Sequence, residues 1–118
     1  MTEVAMDDRL MLIEIDDERY INKTRLAKLL QVPQMDVSIG MCYLQHRGYT
    51  RYGHRMYDKV DAIKEMRGYY LRMYAEKKVQ FKAHHSEMYR DHALKYKARM
   101  ETCDMVLAAL GTGGDADG

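Results

Sequence analysis

Tyr20-Ile21-Asn22-Lys23-Thr24-Arg25-Leu26-Ala27-Lys28-Leu29-Leu30, followed after Pro33 by Gln34-Met35-Asp36-Val37-Ser38-Ile39-Gly40-Met41, decides the fold. Leu26, Ala27, Leu29 and Leu30 fit one face of a short helix, and Asn22 or Thr24 can cap it by accepting from a free amide of its first turn. Pro33 ends that helix and is tolerated at the opening of the next, which Val37, Met41 and Leu44 carry at i, i+4 and i+7. Two short helices around a tight turn are expected. Ala27, Val32, Val37 and Met41 stand where a helix-turn-helix needs a small residue for close approach and apolar residues to lock the second helix. Gln31 stands where glycine usually turns the chain, and Gly40 where a larger apolar residue is usual.

Outward from this pair, Tyr49-Thr50-Arg51-Tyr52-Gly53-His54-Arg55-Met56-Tyr57 places aromatic and β-favouring residues on both sides of a central glycine, the pattern of a two-stranded ribbon. Asp58 is then a good N-cap for a long helix through Val60, Ile63 and Met66 that no proline interrupts before Leu110, with only Gly68 weakening it. An unbroken helix of that length would extend on the order of 75 Å. Its heptads are uneven. Ile63, Met66, Tyr70 and Met73 begin a seam that runs into Lys77 and Gln80, whereas Tyr89, Ala93, Tyr96, Met100, Cys103, Leu107 and Leu110 continue without interruption. The polar middle, with Lys77, Lys78, Lys82, His84, His85, Ser86 and Glu87, admits a break or bend between 77 and 87. The expectation is a first half packed on its own domain and a second half zipped to another helix, its twin.

The fold class expected is therefore mainly α: a winged helix-turn-helix over residues 20–75, then a C-terminal helix over 76–110 that forms a dimeric coiled coil. Residues 1–19 read as an acidic arm or a short strand, with the apolar run at 11–15 open to either. Residues 111–118, rich in glycine and aspartate, have nothing to bury and are expected to be disordered. In 118 residues there is room for one domain with a small core. Eleven methionines give that core, or a helical interface, an adaptable apolar surface.

A formal net charge of +1 conceals strong segregation. Residues 1–18 carry seven acids and one base, a net −6, and residues 19–60 carry eight bases and two acids, a net +6. Residues 61–118, with ten bases and nine acids, contribute +1. Phosphate attraction follows the local field, because charges beyond a Debye length of roughly 8–10 Å are screened. Duplex DNA is the leading partner on this ground. Phosphate contacts fall to Lys23, Arg25, Lys28, Arg47, Arg51, His54 and Arg55. The exposed face of the second helix, Gln34, Met35, Ser38, Ile39 and Cys42, offers Gln34 for bidentate pairing with adenine and Ser38 for either base. The same face carries two apolar residues and no arginine, so contact with a protein is its other reading.

Tyr49, Tyr52 and Tyr57 read as ribbon packing ahead of base stacking. Cys42 and Cys103 match no metal-ligand or redox spacing and indicate reduced thiols in a cytoplasmic protein. His84, Glu87 and Asp91 share a helical face, but in a charged, solvated stretch they read as a surface, and neither a metal nor another cofactor is expected. No arrangement of a nucleophile, base and oxyanion donor is present, so the chain does not read as an enzyme. Neither a membrane-spanning run nor a signal peptide is read, and no membrane partner is expected.

Taken together, residues 22–30, Gly53-His54-Arg55-Met56-Tyr57-Asp58 and Val60-Asp61-Ala62-Ile63-Lys64 resemble the winged helix-turn-helix of the excisionase and MerR-like superfamily. The form they resemble is the DNA-recognition domain of lambda-type phage terminase small subunits. The resemblance covers about residues 20–75. It implies a recognition helix in the major groove, a wing on the backbone or minor groove, and a C-terminal helical part that dimerises or contacts a larger packaging subunit. Packaging-site recognition and transcription control are both open roles for such a phage or mobile-element factor. The competing reading is an adaptor or inhibitor that uses the same fold, with the acidic arm and the Met-rich helix facing a protein; a packaging or transcription subunit is a candidate larger partner in either case. A third has residues 1–18 covering the basic face until DNA competes.

Overall fold

The computed structural model describes residues 19–111. The acidic arm, with its strand reading at 11–15, and residues 112–118 of the tail lie outside the described residues. The chain divides into two compact units, residues 1–62 and 63–118. Mainly helical as expected, it adds a small antiparallel sheet.

In the first unit the order is β1 (Tyr20–Ile21), α1 (Lys23–Leu30), α2 (Gln34–Gly40), β2 (Gly48–Tyr49) and β3 (Arg55–Asp58), which runs into the start of α3 (Lys59–His84). Asn22 is the cap of α1, its side-chain oxygen accepting from the Arg25 amide at 2.8 Å. Gln31, not Pro33, ends the helix: it adopts a left-handed conformation at φ 58°, while the Val32 amide donates to the Ala27 carbonyl and the Gln31 amide to that of Lys28. That pair of bonds satisfies the last carbonyls of α1 and reverses the chain. Pro33, extended at φ −64°, caps α2. The second helix is shorter than the apolar period implies, because Met41 already leaves it and Leu44 lies beyond. α1 and α2 pack on each other over Leu26, Ala27, Leu30, Val37 and Met41, all buried, and Gly40 is buried too.

The ribbon is a correction as well as a confirmation. β2 pairs with β3 as expected, but β1 pairs with the other edge of β3, giving the order β1-β3-β2. Ile21 stands opposite Tyr57, and the Lys59 amide donates to the Arg19 carbonyl at 2.8 Å. Between β2 and β3 the buried Thr50 organises the loop, its hydroxyl oxygen accepting from the amides of Tyr52 and His54. Gly53 turns there at φ +86°, a conformation costly for residues with a Cβ.

In the second unit the helix that Asp58 begins does not run unbroken to Leu110. α3 ends at His84, His85 takes φ 55°, and α4 (Glu87–Ala109) begins with Ser86 as its cap, whose hydroxyl accepts from the Met88 amide at 3.2 Å. The reversal falls within the polar stretch where a break was admitted. α4 folds back antiparallel on α3: Tyr70 stacks on Tyr96 at 6.1 Å between ring centroids, Arg67 pairs with Asp104, and the Lys77 ammonium sits over the Tyr89 ring at 5.6 Å.

The uninterrupted seam is thus used within the chain. Ala93, Cys103 and Leu107 are buried, Tyr89, Tyr96 and Met100 are half-buried, and Leu110 at its end is exposed. The physical reason is proximity: a partner helix tethered by a two-residue reversal is always at hand, whereas a second copy must be recruited from solution. The seam on α3 is imperfect where the heptads predict it, since Gln80 leaves its buried side-chain carbonyl without a hydrogen-bond partner.

Candidate nucleic-acid interface

The first turn of α1 and the tip of the ribbon face each other across a concavity of about 550 Å³ in the first unit. Lys23, Thr24, Arg25 and Lys28 line it from α1, Gly53, His54, Arg55 and Tyr57 from the ribbon, and Asn22 joins the two. Two facts of local structure build it. Asn22 fixes where α1 starts, which directs Lys23, Arg25 and Lys28 from its first two turns. The pairing of β1 with β3 then sets Tyr57 beside that start.

Four cationic side chains converge with His54, and among the described residues no carboxylate lines the concavity. The two acids of residues 19–60 lie elsewhere. Asp58 accepts from the Asp61 amide at 3.0 Å and so caps α3, and Asp36 is in the first turn of α2. Lys23 holds its ammonium over the Tyr57 ring at 5.8 Å from the centroid. That arrangement tethers a mobile side chain without neutralising it. A smaller depression of about 190 Å³ adjoins, sharing Asn22, Arg25 and His54 and adding Thr50, Tyr52 and Met56.

Of the residues expected to touch nucleic acid, Lys23, Arg25, Lys28, His54 and Arg55 are brought together here. Arg51 is exposed at the ribbon tip, its guanidinium over the Tyr52 ring at 5.6 Å, and does not line the concavity. Arg47, also exposed, precedes β2 and contributes its backbone amide to the Met56 carbonyl. Gln34 does not stand free: its amide donates to the Thr24 hydroxyl at 3.2 Å, linking α2 to the rim. Ser38, Met35 and Ile39 are exposed on α2 outside the concavity's lining, and Cys42 is exposed just beyond that helix. Sequence reasoning took Asn22 and Thr24 only as caps and Tyr57 as packing. The alternation of polar and basic residues over 22–25 was the available signal for the first two, but only the sheet register places Tyr57.

The residues expected to mediate oligomerisation all belong to the second unit: Tyr89, Ala93, Tyr96, Met100, Cys103 and Leu107 lie along α4, and Leu110 is its C-cap. Burial, then the Asp104 carboxylate, push the Cys103 thiol up to about 12, with Arg67 opposing. His84 ends α3 while Glu87 and Asp91 begin α4, and among the described residues no three ligating side chains are grouped to hold a metal. Among them too, no helix is long and apolar enough to cross a membrane. The chain matches no protein-family model, no curated protein and no solved structure.

Proposed function

We propose that the first unit binds double-stranded DNA by its phosphate backbone, with α1, α2 and the ribbon acting as a winged helix-turn-helix. The observation that carries this reading is the convergence of Lys23, Arg25, Lys28 and Arg55 on one concavity that no carboxylate lines among the described residues. Such a surface displaces counterions from a duplex when it docks, and that release drives binding irrespective of sequence. Base preference would come from Ser38, and from Gln34 on exchanging its bond to the Thr24 hydroxyl for one to a base, and would be modest, since no arginine accompanies them. The resemblance to phage packaging and excision factors places packaging-site recognition or transcription control first among the roles.

Reversing Lys23 and Arg55 to glutamate tests the reading. Duplex affinity, measured by fluorescence anisotropy across a salt series, should fall about tenfold or more, and the slope of log affinity against log salt should flatten by about 2. An unchanged slope would remove the concavity from the account.

One observation favours a second reading, an adaptor that binds a protein. Met35, Ile39 and Tyr43 are 71%, 50% and 88% exposed on and just after α2, an apolar surface where a reading helix would carry polar side chains. No shift of any duplex at low salt and micromolar protein would support the adaptor.

A further inference from the structure

The positive charge of the second unit is concentrated in one contiguous stretch, which the hairpin reversal places at one end. Residues 72–99, which form the end of α3, the reversal and the first half of α4, carry eight bases against three acids, a net +5. Residues 63–71 and 100–111, the open end of the same hairpin, carry a net −1. The reversal doubles this basic stretch back on itself, so its charge lies at one end of the hairpin.

Four of the lysines at that end point outward. Lys78, Lys82, Lys95 and Lys97 are exposed, as are His84 and His85 at the reversal, and among the described residues no ion pair engages those four lysines. Arg90 differs, lying 3.7 Å from Glu87 and 3.8 Å from Asp91. Lys78 and Lys95 each sit over a tyrosine ring, Tyr74 and Tyr96, at 5.1 Å. Stacking of that kind orders the ammonium and leaves its charge unneutralised.

We infer that this basic end is a second phosphate-contacting surface for duplex nucleic acid. Three alternatives fit less well. Lysine is depleted at the centre of protein–protein interfaces, where burial would strip its hydration. An anionic bilayer holds a basic helix through a continuous apolar face sunk beneath the lysines; at this end Ala93 is buried inside the hairpin, and the exposed apolar side chains Val79, Met88 and Leu94 are interspersed with charged residues. A purely solvated surface has no need to collect five net charges at one end. Flexible point charges spaced along two antiparallel helices suit a line of phosphates, which asks for charge and not for shape.

The inference extends the DNA-binding reading, and its test keeps the two apart. A triple variant, K78E/K82E/K97E, and the K23E/R55E variant are compared with the wild-type chain on one duplex over a salt series, with helicity checked by circular dichroism. The hairpin variant should lower affinity about tenfold or more at 100 mM salt and flatten the salt slope by about 3. If charge reversal unfolds the hairpin, the glutamine triple replaces it and should flatten the slope in the same direction. A wild-type slope in a folded hairpin variant overturns the second surface, whatever K23E/R55E does. A flattened slope there supports it, even if K23E/R55E changes nothing and the concavity is lost as a site. Hairpin-dependent binding to vesicles containing phosphatidylserine, with duplex affinity untouched, overturns it in favour of lipid, and no duplex binding by the wild type overturns both readings.

Discussion

The two units of this chain use opposite means of holding a surface in place. In the first, nothing local suffices. α1 has eight residues and α2 seven, below the length at which a helix is stable alone, and the sheet joins Ile21 to Tyr57 across the whole unit. The second unit consists of helices of 26 and 23 residues whose order is largely local, with one reversal to set. The lesson is that charge convergence in the first unit depends on long-range pairing, whereas in the second it depends on where one helix stops.

The largest expected effect breaks that contrast at its core. Leu26→Ala should cost about 2–5 kcal/mol and Tyr70→Ala about 3–5 kcal/mol, because both side chains are fully buried. Hydrogen exchange should then distinguish them. Loss of Leu26 should expose the amides of β1, β2 and β3 together, while loss of Tyr70 should leave α3 and α4 helical locally but fraying against each other. Retention of full protection in the sheet of the Leu26 variant would refute the claim that the first unit depends on its long-range contacts.

The two cysteines sharpen the same comparison chemically. Cys42 is exposed and Cys103 buried, with its thiol pushed up to about 12 from an ordinary 9.0. A thiol-specific reagent at neutral pH should modify Cys42 in the native chain and reach Cys103 only on unfolding. Because the folded state disfavours the Cys103 thiolate, its contribution to stability is fully present below about pH 9 and is lost as pH rises from there towards about 12. Urea titrations at pH 8 and pH 10.5 should show the hairpin weakened at the higher pH, and Cys103→Ser should blunt that difference. Equal labelling of both cysteines in the native state would show that the hairpin opens readily.

The smallest effects concern backbone positions. Gly68 lies inside α3, where a Cβ would meet only the Arg72 side chain at 3.6 Å, so Gly68→Ala should stabilise by about 1 kcal/mol. Gln31 and His85 both hold left-handed conformations without being glycine. Replacing either by glycine should gain about 0.5–1 kcal/mol in thermal or urea melts, as relief of Cβ strain outweighs the greater freedom of the unfolded chain. Destabilisation by His85→Gly would mean that the reversal owes its position to the histidine side chain, not to the backbone.

The sequence by itself determined the elements whose causes are local. The cap at Asn22, the apolar face of Leu26, Ala27 and Leu30, the glycine turn at Gly53, the cap at Asp58 and the polar gap around Ser86 can each be read within a few residues, because hydrogen bonding and φ preference act at that range. The basic character of residues 19–60 was legible for the same reason. What only the tertiary structure decided was pairing. β1 lay in two residues too short to carry a period, and Tyr57 entered the concavity through a register set by residues far away in sequence. The seam from Tyr89 to Leu107 announced that α4 needs a partner but not which one, since a heptad pattern is the same whether its complement lies on another copy or on the preceding helix. A reversal at His85 and Ser86 brings the preceding helix onto that seam, and with it sets lysines spread over 28 residues at one end of a hairpin.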